Sequence, residues 1–280
     1  EISECLVGSE MCIRDRDKLM QKEVLIIIPA YNEEKNISKV LDRLEQPEIA
    51  EFADILVMND ASSDNTNWIV KARHHAVVTH VFNLGYGSAL QLGYKYAIRC
   101  NYRYVIQMDA DGQHDAGNLI NLYRALKTPD ENGVYPDIVL GSRYLNDSPY
   151  FETSALKRFA FFLFRHIIKW STGRTIMDPT TGLQGLSRRA ALCYSKFGNF
   201  DEKYPDANMI TNMLLSDFNI VEIPAVMHLR EHGKSMHSGL KPIGYMFHMF
   251  FSILAVLIRQ KIFKNVPKAE RYNNDIQKTQ

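Results

Sequence analysis

Two carboxylates one residue apart, Asp109 and Asp111, follow directly on the apolar run Tyr104-Val105-Ile106-Gln107-Met108. At the end of a buried strand such a pair makes a hard oxygen site of the kind that Mg²⁺ or Mn²⁺ occupies, with open positions that substrate phosphates complete. An Asp-x-Asp by itself also occurs in solvated turns, so its neighbours decide its meaning. Here Gly112-Gln113-His114-Asp115 comes next. In an oxygen-rich site His114 suits hydrogen bonding behind the ligands better than direct ligation.

Other residues add chemistry in the same half of the chain. Asp60, in Asn59-Asp60-Ala61-Ser62-Ser63-Asp64, carries an acceptor-only carboxylate suited to the ring N–H of uracil or guanine. Asp64 reads instead as a helix N-cap. In Asn83-Leu84-Gly85-Tyr86-Gly87-Ser88 the glycines permit positive φ and close backbone approach ahead of a helix N-terminus, which favours anions. No GxGxxG follows the first strand, so a dinucleotide site is not indicated. Arg143, in Gly141-Ser142-Arg143-Tyr144, offers a planar fork for phosphate oxygens. Asp206, in Tyr204-Pro205-Asp206-Ala207-Asn208, is a candidate base for an acceptor hydroxyl, or a helix-start charge on the macrodipole. Arg230, Lys234, Ser235 and His237 are donors on one polar stretch with Gly233 as a hinge, either phosphate-binding or a charged surface loop.

The elements that must hold these residues alternate. Val24–Ile28, Ile55–Met58, Val77–Val81, Tyr104–Met108 and Ile138–Leu140 are continuous apolar runs, as in strands covered on both faces. Between them Glu33–Leu44, Asn65–Arg73, Ser88–Arg99 and Ala116–Lys127 have helical length and spacing. This is an α/β pattern with a mostly parallel central sheet flanked by helices. Pro29 should end the first strand. Each motif falls at the carboxyl end of a strand, where open parallel sheets bind ligands. After Leu140 the alternation stops. Ala155–Trp170 and Pro205–Ser216 read as helices, Ile220–Met227 as a strand broken by Pro224, and Val266–Gln280 as a polar, frayed tail.

Length and composition bound the function. A chain of 280 residues with 46% hydrophobic and 23% charged residues can bury a large core. A formal net charge of +1 argues against nucleic acid as a partner. Four cysteines without a CxxC pair suggest neither a zinc site nor a disulfide framework, and fit a reducing cytoplasm. Residues 1–22 are expected to be either a scar, Gly8–Arg16 having the look of a translated cloning or sequencing scar, or a disordered arm. Ile243–Ile258 is apolar but shorter than the roughly 20 residues needed to cross a bilayer. Gly244, His248 and Ser252 form a narrow polar stripe on it, and Lys241, Arg259, Lys261 and Lys264 flank it. With the basic amphipathic stretch Ala155–Trp170 it suggests peripheral attachment to an anionic membrane face, at the cytoplasmic side. Core packing or a dimer interface are the other uses open to either helix.

In this order the motifs Pro29-Ala30-Tyr31-Asn32-Glu33-Glu34, Asn59–Thr66, Asn83–Ser88, Asp109–Asp115, Gly141–Tyr144 with Asp178–Gly185, and Arg230–His237 resemble the family 2 glycosyltransferases of the GT-A fold. The likeness, from about Glu23 to about Lys264, is to the branch of dolichol-phosphate mannosyltransferases and polyprenyl-phosphate sugar transferases. It implies an inverting, metal-dependent transferase using a nucleotide-diphosphate sugar and a lipid-phosphate acceptor. It implies that Pro29, Ala30, Tyr31 and Glu33 line the nucleobase pocket, although Asn32 can also cap a helix whose first turn holds Glu33 and Glu34. Asp109 would orient ribose or metal, and Asp111 and Gln113 would contact the ion. Thr180 and Thr181 would lie beside the acceptor, or merely form a turn. The loop with Arg230, Lys234, Ser235 and His237 would close over the donor diphosphate. The expected organisation is a GT-A domain over 23–240, an amphipathic membrane-proximal helix over 241–264 and a polar tail over 265–280. A saccharide hydroxyl as acceptor with Asp206 as base, and a non-catalytic nucleotide-binding scaffold at the membrane, are the competing readings.

Overall fold

A computed structural model of the chain describes residues 22–145, 155–228, 241–262 and 268–277. Its centre is a seven-stranded sheet: β1 (Val24–Ala30), β2 (Ala53–Asn59), β3 (Ala76–Thr79), β4 (Tyr104–Gln107), β5 (Ile138–Ser142), β6 (Gln184–Ser187) and β7 (Ile220–Pro224). The spatial order is β3-β2-β1-β4-β6-β5-β7. Only β6 is reversed, pairing antiparallel with both β4 and β5. Sequence alternation misses β6 because Gln-Gly-Leu-Ser has no apolar run. Its ladder partners, Tyr104–Gln107 and Ile138–Leu140, decide its state.

Helices α1 (Ile37–Leu44), α2 (Pro47–Ala50), α3 (Thr66–Ala72), α4 (Tyr86–Arg99), α5 (Ala116–Leu126), α6 (Ala155–Thr172), α7 (Arg188–Ser195), α8 (Ala207–Leu215), α9 (Lys241–Ile262) and α10 (Ala269–Gln277) complete the described elements. Every residue of β1 is buried, alternate side chains joining two different apolar clusters. Leu25 and Ile27 pack with Leu90, Tyr94, Phe164 and Ile210. Ile26 and Ile28 pack with Val40, Leu41, Leu119 and Leu122. Burying each such Leu or Ile contributes roughly 1.5–3 kcal/mol, so a strand apolar throughout is what a sheet between two helical layers requires.

Several expectations need correction. β1 continues through Pro29 to Ala30, paired with Met58 and Asn59 of β2. Pairing with β4 stops at Ile27, so Pro29 has a sheet neighbour on one side only. The stretch Val77–Val81 is not a fully buried strand. β3 is a half-buried edge, and Val81 and Phe82 are exposed. The first helix begins at Ile37, after a loop in which Asn32 has φ +56° and its Oδ1 accepts from Ser63 N at 2.9 Å. Asn32 therefore ties two loops together and caps no helix. Asp64 is not the N-cap, which falls on Asn65; its carboxylate accepts from Thr66 N at 3.0 Å and, from the first loop, from Glu34 N at 3.0 Å. The polar C-terminal stretch is not frayed over Ala269–Gln277. It forms α10, with Ala269 and Tyr272 buried against the body of the protein.

Candidate functional site

Asp109 and Asp111 leave the carboxyl end of β4, whose last contact with β1 is Met108 N to Ile27 O at 3.1 Å. Tyr86, in the first turn of α4, donates its hydroxyl to Asp109 Oδ1 at 2.9 Å. On the other side the chain at Gly182 presses on the same carboxylate. A β-carbon there would stand 2.5 Å from Asp109 Oδ2, so only glycine permits this approach. Asp111 is buried, and its Oδ1 accepts from Gln113 N at 3.0 Å, curling the loop. Arg43 of α1 clamps that loop from outside, donating to Gly112 O at 2.8 Å and His114 O at 3.3 Å. Gln113 is tied to His228 twice, accepting from His228 N at 2.7 Å and donating from Nε2 to His228 O at 3.1 Å. Asp115 caps α5 through Gly117 N at 2.8 Å. The hydrogen bond from His228 holds the Asp115 carboxyl below its ordinary range.

The residues present suit a divalent ion. Among the described residues no group of three His, Cys, Asp or Glu side chains forms a protein-only cage. Asp109, Asp111 and Gln113 are oxygen donors on one short loop, the donor type of an ion completed by water and diphosphate. Behind them His114 is buried with neither ring nitrogen hydrogen-bonded.

The loops over β1 and β2 sit beside this centre. Asp60 is buried, and its carboxylate is largely engaged inside the protein. Leu84 N donates to Oδ1 at 2.9 Å, Gly85 N to Oδ2 at 2.8 Å, and His80 Nδ1 lies 2.7 Å from Oδ1. A carboxylate has about four lone-pair sites, so three of them are used within the protein. Asp60 thus sets the Asn83–Gly85 turn, where Gly85 has φ +98°. The close approach foreseen for this turn is made to the protein's own backbone. A β-carbon on Gly87 would fall 2.1 Å from Asp201 O, and Ser88 N donates to Glu202 O at 3.1 Å. Pro29 and Ala30 are buried in β1, Tyr31 is half-exposed at the loop, and Glu33 Oε2 accepts from Asn36 Nδ2 at 2.7 Å.

Asp206 precedes α8. Burial pushes its carboxyl up to about 7, the Tyr245 hydrogen bond works against this, the charge of Asp109 adds to it and Arg143 opposes it. The Tyr245 hydroxyl donates to Asp206 Oδ2 at 2.7 Å. Arg143 is held in a two-pronged pair with Asp178, Nε to Oδ2 at 2.7 Å and Nη2 to Oδ1 at 2.7 Å, and Nη2 also reaches Thr180 Oγ1 at 3.1 Å. Burial opposes the charge on Arg143, but Asp178 outweighs it and keeps the guanidinium's pKa raised. Asp178 is itself fixed by Glu222, which accepts from Met177 N at 2.7 Å and Asp178 N at 2.8 Å. Thr181 serves the turn, donating to Gly141 O at 2.7 Å.

Asp109, Asp206, Arg143 and Tyr86 therefore act on one another electrostatically. Asp60 and Gly85 form a second group that shapes the same rim. Arg230, Lys234, Ser235 and His237 lie outside the described residues. Sequence reasoning missed Tyr86, Tyr245 and Glu222, and passed over Asp178. Tyr86 stood between two glycines of a quoted motif, and that was its only signal. Tyr245 and Glu222 had none, because their partners are distant in the chain.

A sheet of this topology, with acidic residues at the carboxyl end of β4, defines a GT-A architecture. The family model for Glycosyl transferase family 2 matches residues 25–194, more than half of the chain, and the chain belongs to that family. It is thus a glycosyltransferase. Polyprenol monophosphomannose synthase of Mycolicibacterium smegmatis is 27% identical over 78% of this chain and 82% of its own length. The UDP-N-acetylglucosamine–dolichyl-phosphate N-acetylglucosaminyltransferase of Methanococcus voltae is 25% identical over 61% of this chain and 72% of its own. Among solved structures, glucosyl-3-phosphoglycerate synthase from Mycobacterium tuberculosis, in complex with Mn²⁺, UDP and glucosyl-3-phosphoglycerate, covers 85% of this chain and 79% of its own with TM-score 0.59 and 19% identity. That likeness is one of fold.

Proposed function

We propose that this glycosyltransferase moves a sugar, with inversion, from a nucleotide diphosphate to the phosphate of a polyprenyl lipid at a membrane surface. One observation carries the acceptor: α9 turns large apolar side chains outward as well as into the core. Its inward side is satisfied by Met249 and Ile253 and by the polar contacts of Tyr245 to Asp206, Ser252 to Asn208 Nδ2 at 2.7 Å, and Gln260 to Asn212 Oδ1 at 3.2 Å. Phe247, Phe251 and Ile258 face outward at 63%, 60% and 47% exposure. Water disfavours such a surface, whereas an apolar lipid phase favours it. The helix that grips Asp206 is thus the helix that offers an apolar surface. Relatives named for transfer to polyprenol and dolichyl phosphate support the same reading. No described helix is long and apolar enough to cross a membrane.

Asp109 and Asp111, with Gln113, would hold Mg²⁺ or Mn²⁺, which supplies Lewis-acid neutralisation of the leaving diphosphate when bound. Tyr86 and the Gly182 turn fix Asp109. The Asp60-braced turn and Tyr31 shape the base pocket. Near neutrality Asp206 is partly protonated, so it presents a neutral hydrogen-bond donor to an anionic acceptor instead of a repelling charge. Arg143, fixed by Asp178, adds positive charge beside it. The second reading, a saccharide hydroxyl as acceptor, draws on the same carboxyl, since a base with pKa near the working pH is efficient.

The test is transfer from UDP- and GDP-sugars to a short polyprenyl phosphate or to an oligosaccharide, with calorimetric binding of UDP and GDP with and without Mn²⁺. Product on the lipid phosphate, together with metal-dependent binding of one nucleotide that Asp111→Asn abolishes, is expected. Product on the oligosaccharide alone would select the second reading, and absence of nucleotide binding would leave only a scaffold.

A further inference from the structure

His114 is buried, only 3% exposed, yet among the described residues neither Nδ1 nor Nε2 has a hydrogen-bond partner. Leaving one buried polar group unsatisfied costs about 1–3 kcal/mol, so an apolar ring would pack here at less cost. The main chain that carries the ring is held in place. It is bridged to Met227, and its carbonyl is taken by Arg43 Nη1 at 3.3 Å. Nε2 points at the donor site, standing 3.7 Å from Asp109 Oδ2. That is short of contact by less than an ångström, since N–H···O bonds have a mode near 2.9–3.0 Å. The other oxygen, Oδ1, is already held by Tyr86.

We propose that His114 is a positioning residue for Asp109, its Nε2–H closing on Oδ2 when the metal and nucleotide diphosphate are bound, so that Tyr86 and His114 grip the carboxylate from two sides. This rests on the reading of Asp109 and Asp111 as the metal-diphosphate site. The ring takes no part in bond making. It sets the direction of the remaining lone pairs of Asp109, and hydrogen bonds of this kind to ligating carboxylates raise metal affinity by about 10- to 100-fold. The unsatisfied ring is the cost of having the donor already aimed.

The experiment measures the affinity of UDP and GDP by calorimetry at saturating and zero Mn²⁺, with the melting temperature of each protein in the absence of both. The variants are His114→Phe, Asp109→Asn and the double variant. His114→Phe should keep or raise the melting temperature, weaken metal-dependent nucleotide binding about tenfold, and leave metal-free binding unchanged. In the Asp109→Asn background it should cost nothing further. His114→Gln, which keeps a donor, should recover part of the loss, and it serves as the test if the phenylalanine variant fails to fold. Wild-type affinity in His114→Phe, an equal loss with and without metal, or additive losses in the double variant would overturn the proposal. Failure of wild-type protein to bind either nucleotide with Mn²⁺ would instead overturn the underlying reading of the site.

Discussion

Under the proposed function, Asp206 is the residue whose protonation would separate the two acceptor chemistries. Its carboxyl is raised from an ordinary 3.8 to about 7 by burial. Between those values the unfolded chain gives up the proton while the native protein keeps it, so stability falls as pH rises from about 4 to about 7 and then levels. Asp206→Asn should remove that slope, which urea melts across this range would show. For a hydroxyl acceptor the base must be ionised, and Asp206→Asn should lose roughly 10²–10⁴ in rate. For a phosphate acceptor the amide keeps a hydrogen-bond donor and most of the rate should survive. Tyr245→Phe removes the hydrogen bond that favours the ionised form, so the midpoint of any pH–rate limb set by Asp206 should move upward.

At the scale of elements α9 has two jobs that can be separated by mutation. Met249 and Ile253 are buried against α6 and α8, whereas Phe247 and Phe251 stand in solvent. Met249→Ala should cost about 2–5 kcal/mol of stability. Phe247→Ser with Phe251→Ser should leave the melting temperature within a degree or two and release the protein from vesicles containing anionic lipid. Vesicle flotation checks this, and unchanged retention would refute the lipid-facing role. Because α9 also supplies core side chains, deleting everything after Pro242 should unfold the protein rather than merely free it.

Across the whole molecule, the buried Arg143–Asp178 pair links the end of β5 to the turn before β6, and Glu222 of β7 holds Asp178 in place. Asp178→Ala leaves a buried guanidinium without its counter-charge, for which about 3–5 kcal/mol is expected. Denaturant unfolding would measure it. The C-terminal α10 closes the opposite flank. Tyr272 accepts from Asn199 Nδ2 at 2.9 Å and packs on Phe218, while Lys268 donates to Leu215 O at 2.7 Å. Truncation before Ala269 should therefore lower the melting temperature although the removed stretch is polar in sequence.

The sequence by itself determined the α/β architecture, since β1, β2, β4 and β5 are apolar runs whose burial on both faces leaves them no other state. It also placed Asp109 and Asp111 at the carboxyl end of a strand, because spacing at a strand end is a local property. What only the tertiary structure decided are the states set by distant partners. β6 is a strand because β4 and β5 flank it. Residues 269–277 are a docked helix because Ser216 O accepts from Ala269 N at 2.9 Å and a pocket receives Tyr272. The polar stripe Gly244, His248 and Ser252 follows the same rule. Ser252 meets Asn208, whereas Gly244 and His248 stay exposed, the His248 ring 5.2 Å from Tyr204, and the exposed side of the helix also carries Phe247, Phe251 and Ile258. Periodicity reports which residues share a face. Which way that face points depends on what the rest of the chain brings against it.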